Sequence, residues 1–201
     1  MLETISELFQ EAYRRNWITA RDGNASIRWH DRDHMYITPS GIRKQTLQPE
    51  MFIKWDLNGQ QALSYTDISK ALRPSGEIPL HYALQRKIDT EVRVVLHFHP
   101  TYTVAAMYAG IELSDLVKEF PELARYTKVG KNVPDVPPIS QALADATVPA
   151  LNIHRDGGIY NHIVGIDRHG VVAVDTSPWR AFEHIERLEH ICKIVLTSRK
   201  I

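Results

Sequence analysis

The stretch that most constrains this 201-residue chain is Val92 to Phe98, a β-branched, apolar run ending in His97-Phe98-His99-Pro100. Such a run reads as a buried strand. Pro100 stops the ladder because it has no N–H to donate, and a helix is expected from about Tyr102 to Tyr108. The polar residues at the strand's end are its anomaly. His97 and His99 are two apart, so on a strand their imidazoles point to one face and can converge on one ion.

The rest of the chain supplies neighbours for that strand. Leu2, Ile5, Leu8, Phe9 and Ala12 recur at helical spacing, predicting an opening amphipathic helix. Ala25–Trp29 and Met35–Thr38 read as one strand pair, and Met51–Trp55 with Gln61–Tyr65 as a hairpin across Asp56-Leu57-Asn58-Gly59. A helix should begin near Gly76, with Pro79 tolerated in its first turn. Leu113–Val129 reads as helix broken at Pro121, Lys131–Pro138 as a Pro-rich loop, and Ser140–Leu151 as helix. Asn161–Ile166 and Val171–Val174 form a late strand pair, and Pro178 opens the last helix. Hairpins early and late with helices between them predict a largely antiparallel sheet flanked by helices, rather than a βαβ repeat.

Composition excludes several functions. Twenty-four Lys and Arg balance twenty-four Asp and Glu, so no global positive field gathers a polyanion, and nucleic acid is not the expected partner. The single Cys192 excludes an internal disulfide framework and a cysteine zinc cluster and fits a reducing compartment, with the cytoplasm as default. Glu3, Glu7 and Glu11 interrupt the N-terminal apolar residues, unlike a signal peptide, and no run of about 18 apolar residues suggests a membrane span. With 43% hydrophobic residues and no sharp shift in composition, residues 1–201 are expected to form a single domain.

Three neutral imidazoles and one open position make a catalytic zinc site, of which an H-x-H strand supplies two-thirds. With ten His in the chain, roughly half an H-x-H pair is expected by accident, so the motif needs support. A third ligand would come from His81, His154, His162 or His169, and His169 is best placed, in a turn before Gly170. His169 is equally readable as a turn residue tolerating an unusual backbone angle. Glu77, where a helix opens, reads on its own as a carboxylate complementing the helix dipole. Gly23-Asn24-Ala25-Ser26, Thr38-Pro39-Ser40-Gly41 and Pro74-Ser75-Gly76 are turns whose hydroxyls, amides and backbone N–H groups could together line an anion pocket.

The order of these motifs carries a resemblance. Gly23-Asn24-x-Ser26, Ile37-Thr38-Pro39-Ser40-Gly41, Ser75-x-Glu77-x-x-x-His81, His97-x-His99-Pro100 and His169-Gly170 follow one another as in the class II aldolase/adducin family, which the chain resembles from about Leu2 to Leu196. The resemblance implies an α/β fold, three-layer α/β/α with a mainly antiparallel central sheet. It implies Zn2+ or another divalent transition metal on His97, His99 and His169, Glu77 as acid/base, and substrate phosphate on Asn24, Ser40, Gly41, Ser75 and Gly76. It further implies a sugar-phosphate substrate and a homo-oligomer, commonly a tetramer with sites between subunits. The expected reaction is carbon–carbon cleavage through a metal-stabilised enediolate. Epimerisation, dehydration and decarboxylation on the same scaffold, or a non-catalytic adducin-like module, are the alternatives.

Two departures bear on the substrate. Family aldolases often read Ser-Ser-Glu where this chain has Ser75-Gly76-Glu77, which removes one hydroxyl. They also often carry a C-terminal tail with a site tyrosine, whereas here the sequence ends at Ile201, so that contribution is expected to be missing; Tyr126 is read as a helix-packing residue or a proton donor to a neighbouring subunit.

Overall fold

The computed structural model describes residues 1–29, 33–63, 66–88, 93–153 and 158–198. Seven strands form one sheet: β1 (Asn24–Arg28), β2 (His34–Ile37), β3 (Ile53–Asp56), β4 (Gln61–Leu63), β5 (Arg93–Phe98), β6 (Ile163–Ile166) and β7 (Gly170–Asp175). The order is β4-β3-β2-β1-β5-β7-β6, and every pairing between these strands is antiparallel. The apolar run that dominates the sequence is β5, one place from the centre of the order, with β1 on one side and β7 on the other.

Helices cover both faces: α1 (Leu2–Arg14), α2 (Asp67–Lys70), α3 (Ile78–Lys87), α4 (Thr101–Tyr108), α5 (Leu113–Glu119), α6 (Pro121–Tyr126), α7 (Gln141–Ala150) and α8 (Pro178–Ser198). The period-2 alternation of β5 sorts its side chains between two cores. Val94, Leu96 and Phe98 pack with Ile5 and Phe9 of α1, Met107 of α4, Leu113 of α5 and Phe182 of α8. Val95 points the other way, to Leu80 and Leu84 of α3 and Leu143 and Val148 of α7. The result is the three-layer α/β/α arrangement. Each fully buried Val, Leu or Phe contributes about 1.5–3 kcal/mol relative to exposure, so β5 is the anchor of both cores.

Expected elements shift only at their ends. Met51 belongs to a 3₁₀ turn, Pro49–Met51, because Pro49 favours a tight first turn; β3 therefore starts at Ile53. Asn161 and His162 lie outside β6, where Asn161 instead bonds the Leu151 and Ala150 carbonyls. The helix α2 was not anticipated. It is a single turn stabilised by a reciprocal cap, in which Thr66 Oγ1 accepts from Ser69 N–H and Ser69 Oγ accepts from Thr66 N–H. Val92, the expected end of the β4 hairpin at Tyr65, and His154 lie outside the described residues. No helix among the described residues is long and apolar enough to cross a membrane.

Candidate active site

Register brings the first residues of the site together. Asn24 of β1 pairs directly with His97 of β5, so Asn24, Ser26 and His97 share the sheet face that α3 covers. Two glycines permit the close approach of chain to histidine. At Gly23 (φ +73°) a Cβ would come within 2.9 Å of the Ile18 side chain and 3.1 Å of the His97 carbonyl. At Gly170 it would lie 2.5 Å from the Phe98 carbonyl and 2.6 Å from the His99 ring, so only glycine lets the turn before β7 carry His169 up to the end of β5.

There the three imidazoles meet. His97 Nε2 is 3.0 Å from His99 Nε2 and 3.3 Å from His169 Nε2, with ring planes inclined at 69° and 70°. His97 Nδ1–H donates to the Val171 carbonyl at 3.0 Å, which leaves Nε2 as a bare lone pair. Burial, reinforced by the neighbouring rings, pushes His97 and His99 down to about 3, so both are neutral at physiological pH. The buried His169 Nδ1 has no partner among the described residues. Neutral imidazoles whose Nε2 atoms crowd together fit a divalent transition metal, which would relieve lone-pair repulsion that hydrogen bonds can only partly satisfy.

Glu77 occupies the N-cap position of α3, its side chain making no cap bond, and is 5% exposed. Its Oε2 lies 3.6 Å from His97 Nε2 and its Oε1 3.7 Å from His169 Nε2. The carboxylate accepts from Asn24 Nδ2 at 3.2 Å. The two remaining loops are laced together by main-chain bonds, Ser40 N–H to the Arg73 carbonyl at 2.8 Å and Ser75 N–H to the Thr38 carbonyl at 3.0 Å. Their pairing explains why turns about 35 residues apart open onto one cleft. That cleft, about 240 Å³, is lined by all nine residues singled out from the sequence, Asn24, Ser40, Gly41, Ser75, Gly76, Glu77, His97, His99 and His169. A larger groove of about 580 Å³ along α8 holds none of them.

The cleft also contains residues that the sequence did not flag. Lys44 is buried at its wall, with Nζ donating to the Pro39 carbonyl at 2.7 Å, and burial lowers it to about 8 against the opposing pull of Asp22. Arg21 and Asp22 line the same wall. Ile139, a β-branched residue at φ +59°, lies over Gly76, where a Cβ would meet three of its side-chain atoms at 3.1–3.3 Å. A side chain at 76 would therefore need the exposed Ile139 side chain to give by a few tenths of an ångström.

The other candidate ligands go elsewhere. His81 turns toward Asn24 and Ser26 rather than the imidazole cluster. His162 joins Asp175 and His184 in a second group of three potential ligands. Its ring stacks on His184 at 4.3 Å and 6°, so the in-plane lone pairs run parallel rather than converge. His162 Nδ1 accepts from Lys128 N–H at 3.1 Å, which places its proton on Nε2. His184 Nε2 faces Asp175 Oδ2 at 3.2 Å, and Asp175 Oδ1 accepts from Thr176 N–H, Ser177 N–H and Arg180 Nε. Tyr126 is 47% exposed on α6, with Arg125 and Arg187 over its ring, and does not line the cleft.

Residues 3–196 match the profile of the family described as Class II Aldolase and Adducin N-terminal domain, and the chain belongs to that family. It is 30% identical to a methylthioribulose-1-phosphate dehydratase from Stenotrophomonas maltophilia, over all of this chain and 90% of that protein. A methylthioribulose-1-phosphate dehydratase from Komagataella phaffii is 23% identical over 98% of this chain and 82% of its own length. The fold superposes on the L-fuculose-1-phosphate aldolase of Thermus thermophilus with a TM-score of 0.77 at 22% identity, covering 98% of this chain and 94% of that one.

Proposed function

We propose that this chain is a metal-dependent lyase acting on a small ketose phosphate, and that its reaction is dehydration rather than the aldol cleavage first expected from the sequence. The dehydratase names of its sequence relatives favour this choice. The observation that carries the lyase reading is the placement of one buried carboxylate, Glu77, within 3.7 Å of two of three convergent imidazoles.

His97, His99 and His169 would hold a divalent ion, zinc or another transition metal, which as a Lewis acid draws electron density from a substrate carbonyl and so acidifies the adjacent C–H. Glu77 accepts that proton. The electron pair of the broken C–H bond forms a carbon–carbon double bond as the hydroxyl on the next carbon takes a proton and leaves as water, and the resulting enol gives up its hydroxyl proton and gains one on carbon to become the diketone. Glu77 is suited to the first transfer because it lies beside the imidazole cluster with few competing donors, and to the second because it then carries the proton. Ser40, Gly41, Ser75 and Gly76, with Lys44 at the wall, form the anion end of the cleft and would hold the phosphate, with one amide hydrogen of Asn24 also free to point there. Cytoplasmic location and a tetramer with sites between subunits accompany this reading as family expectations.

The test is to incubate the zinc-loaded protein with methylthioribulose 1-phosphate and follow the products by NMR in D2O. Dehydration gives a diketone phosphate and water. Release of a free aldehyde with a shorter ketone phosphate would return the assignment to aldol cleavage, and absence of either on a panel of ketose phosphates would sink both.

A further inference from the structure

Beneath the cleft a chain of side chains runs into the interior of the protein. Glu77 accepts from Asn24 Nδ2, Asn24 Oδ1 meets His81 Nε2, His81 Nδ1 meets Ser26 Oγ at 2.7 Å, and Ser26 Oγ accepts from Gln85 Nε2 at 2.9 Å. Ser26, His81 and Gln85 are fully buried, and Asn24 is 8% exposed, so these bonds have no water to compete with them.

The direction of each bond follows from chemistry. A carboxylate only accepts, so Asn24 must present its NH2 to Glu77 and its carbonyl oxygen to His81. His81 Nε2 must then carry the proton and Nδ1 the lone pair, to which Ser26 donates its hydroxyl hydrogen. The Ser26 oxygen takes up the Gln85 amide hydrogen. Burial also pushes His81 down to about 3, which keeps it neutral and able to both donate and accept.

We propose that His81 is a positioning residue for the reaction: as the Nε2–H tautomer it fixes the Asn24 amide with its NH2 toward Glu77 and the anion cleft. An Asn amide differs little in shape when turned over, and only its hydrogen-bond partners decide which end faces where. Turned over, Asn24 would aim a carbonyl oxygen at the Glu77 carboxylate and at an incoming phosphate, replacing attraction by repulsion. Asn24 is thereby a support for Glu77 first, with its second amide hydrogen left for substrate.

The proposal rests on the lyase reading for its kinetic test but not for its structural one. In the zinc-loaded chain labelled with ¹⁵N-histidine, long-range ¹H–¹⁵N spectra should report His81 as neutral with the proton on Nε2. A proton on Nδ1, or an imidazolium at neutral pH, would overturn it. For kinetics, His81→Gln and His81→Asn separate the two ring nitrogens, since a Gln amide reaches the Nε2 position and an Asn amide only the Nδ1 position. With methylthioribulose 1-phosphate, His81→Gln should stay within a few-fold of wild type. His81→Asn should lose roughly 10–100-fold in kcat with KM little changed, the scale for outer partners of a metal centre. Equal activity of the two variants, with matching melting temperatures, would overturn the positioning role. If wild type turns over no ketose phosphate, the reaction assignment fails, and the tautomer measurement still decides the role of His81.

Discussion

Two groups of three potential ligands sit at opposite ends of β7, one where the turn before it meets the end of β5, the other where it passes into α8. Their residue types are nearly the same. In the first, inclined rings aim Nε2 atoms at one another across 3.0–3.3 Å, and the one strong hydrogen bond, from His97 Nδ1 to a carbonyl, leaves the facing nitrogen free. In the second, the rings are stacked, a backbone N–H occupies the His162 lone pair on Nδ1, and Asp175 is occupied by His184, Arg180 and the Thr176 and Ser177 N–H groups just before the last helix. Burial works against ionisation of Asp175, yet His184, the Ser177 N–H and Arg180 hold it down to about 2. What distinguishes the proposed metal centre from the second group is therefore the direction of unclaimed lone pairs, not the count of His and Asp.

The largest effect expected from this contrast is on metal content. The chain should take up one divalent ion, not two, and His97→Ala should lower affinity by more than about 100-fold, since even outer-sphere partners of metal ligands contribute 10–100-fold. His184→Gln should leave uptake unchanged. Elemental analysis after dialysis against zinc reads both, and two ions per wild-type chain, or loss of the ion in His184→Gln, would break the comparison.

Next in size is Glu77→Gln. The amide matches the carboxylate in volume but cannot take a proton, so turnover should fall by roughly 10²–10⁴-fold while zinc is retained. Exchange of the substrate's acidic C–H with solvent deuterium measures the step directly. Wild-type exchange in the variant would remove Glu77 from proton transfer and leave it as a ligand only.

A smaller effect sharpens the electrostatic difference between the two groups. Arg180 beside the second cluster is bound to Asp175, whereas Lys44 beside the first has a carbonyl as its close partner. Lys44 is held down to about 8, so it is a cation below that pH and loses its charge as pH rises through it. The KM of a phosphorylated substrate should therefore climb above pH 8 in wild type. Lys44→Met should show a KM about tenfold higher near pH 7, a single charged hydrogen bond of roughly 1.5 kcal/mol, with a flat profile. A wild-type profile as flat as the variant's would take Lys44 out of anion binding.

How much of this could be read from the chain alone follows physical lines. The cluster geometry at His97 and His99 is local, because a two-residue period on a strand fixes the side on which both rings emerge. Convergence of the Ser40 and Ser75 loops was legible as a shared turn chemistry and a family order but not as geometry, since it depends on main-chain bonds between residues far apart. Lys44 was illegible for another reason, since a lysine after a glycine turn is ordinarily solvated. His81 was legible as a candidate ligand and as part of the family order, but not as a partner of Asn24. Their roles arise from the register that sets Asn24 opposite His97 and from burial by elements distant in sequence. Ile139 at positive φ is a local conflict that no propensity foresees.

The smallest effect on activity tests the second cluster for what it is. Asp175 accepts from the Thr176 and Ser177 N–H groups just before α8, and so fixes the turn that leads into that helix. Asp175→Ala should cost about 1.5–3 kcal/mol in stability, the scale for losing hydrogen bonds to a charged group, because the Thr176 and Ser177 N–H groups and His184 are left without their acceptor. Denaturant titration measures the cost, which should appear as a lower midpoint at unchanged slope. Zinc content and turnover should both stay at wild-type values, because β7 continues to carry His169 from its opposite end. If the variant kept its stability and lost a metal ion, the stacked histidines and Asp175 would be a second metal centre, and lone-pair direction would not be what separates the two groups.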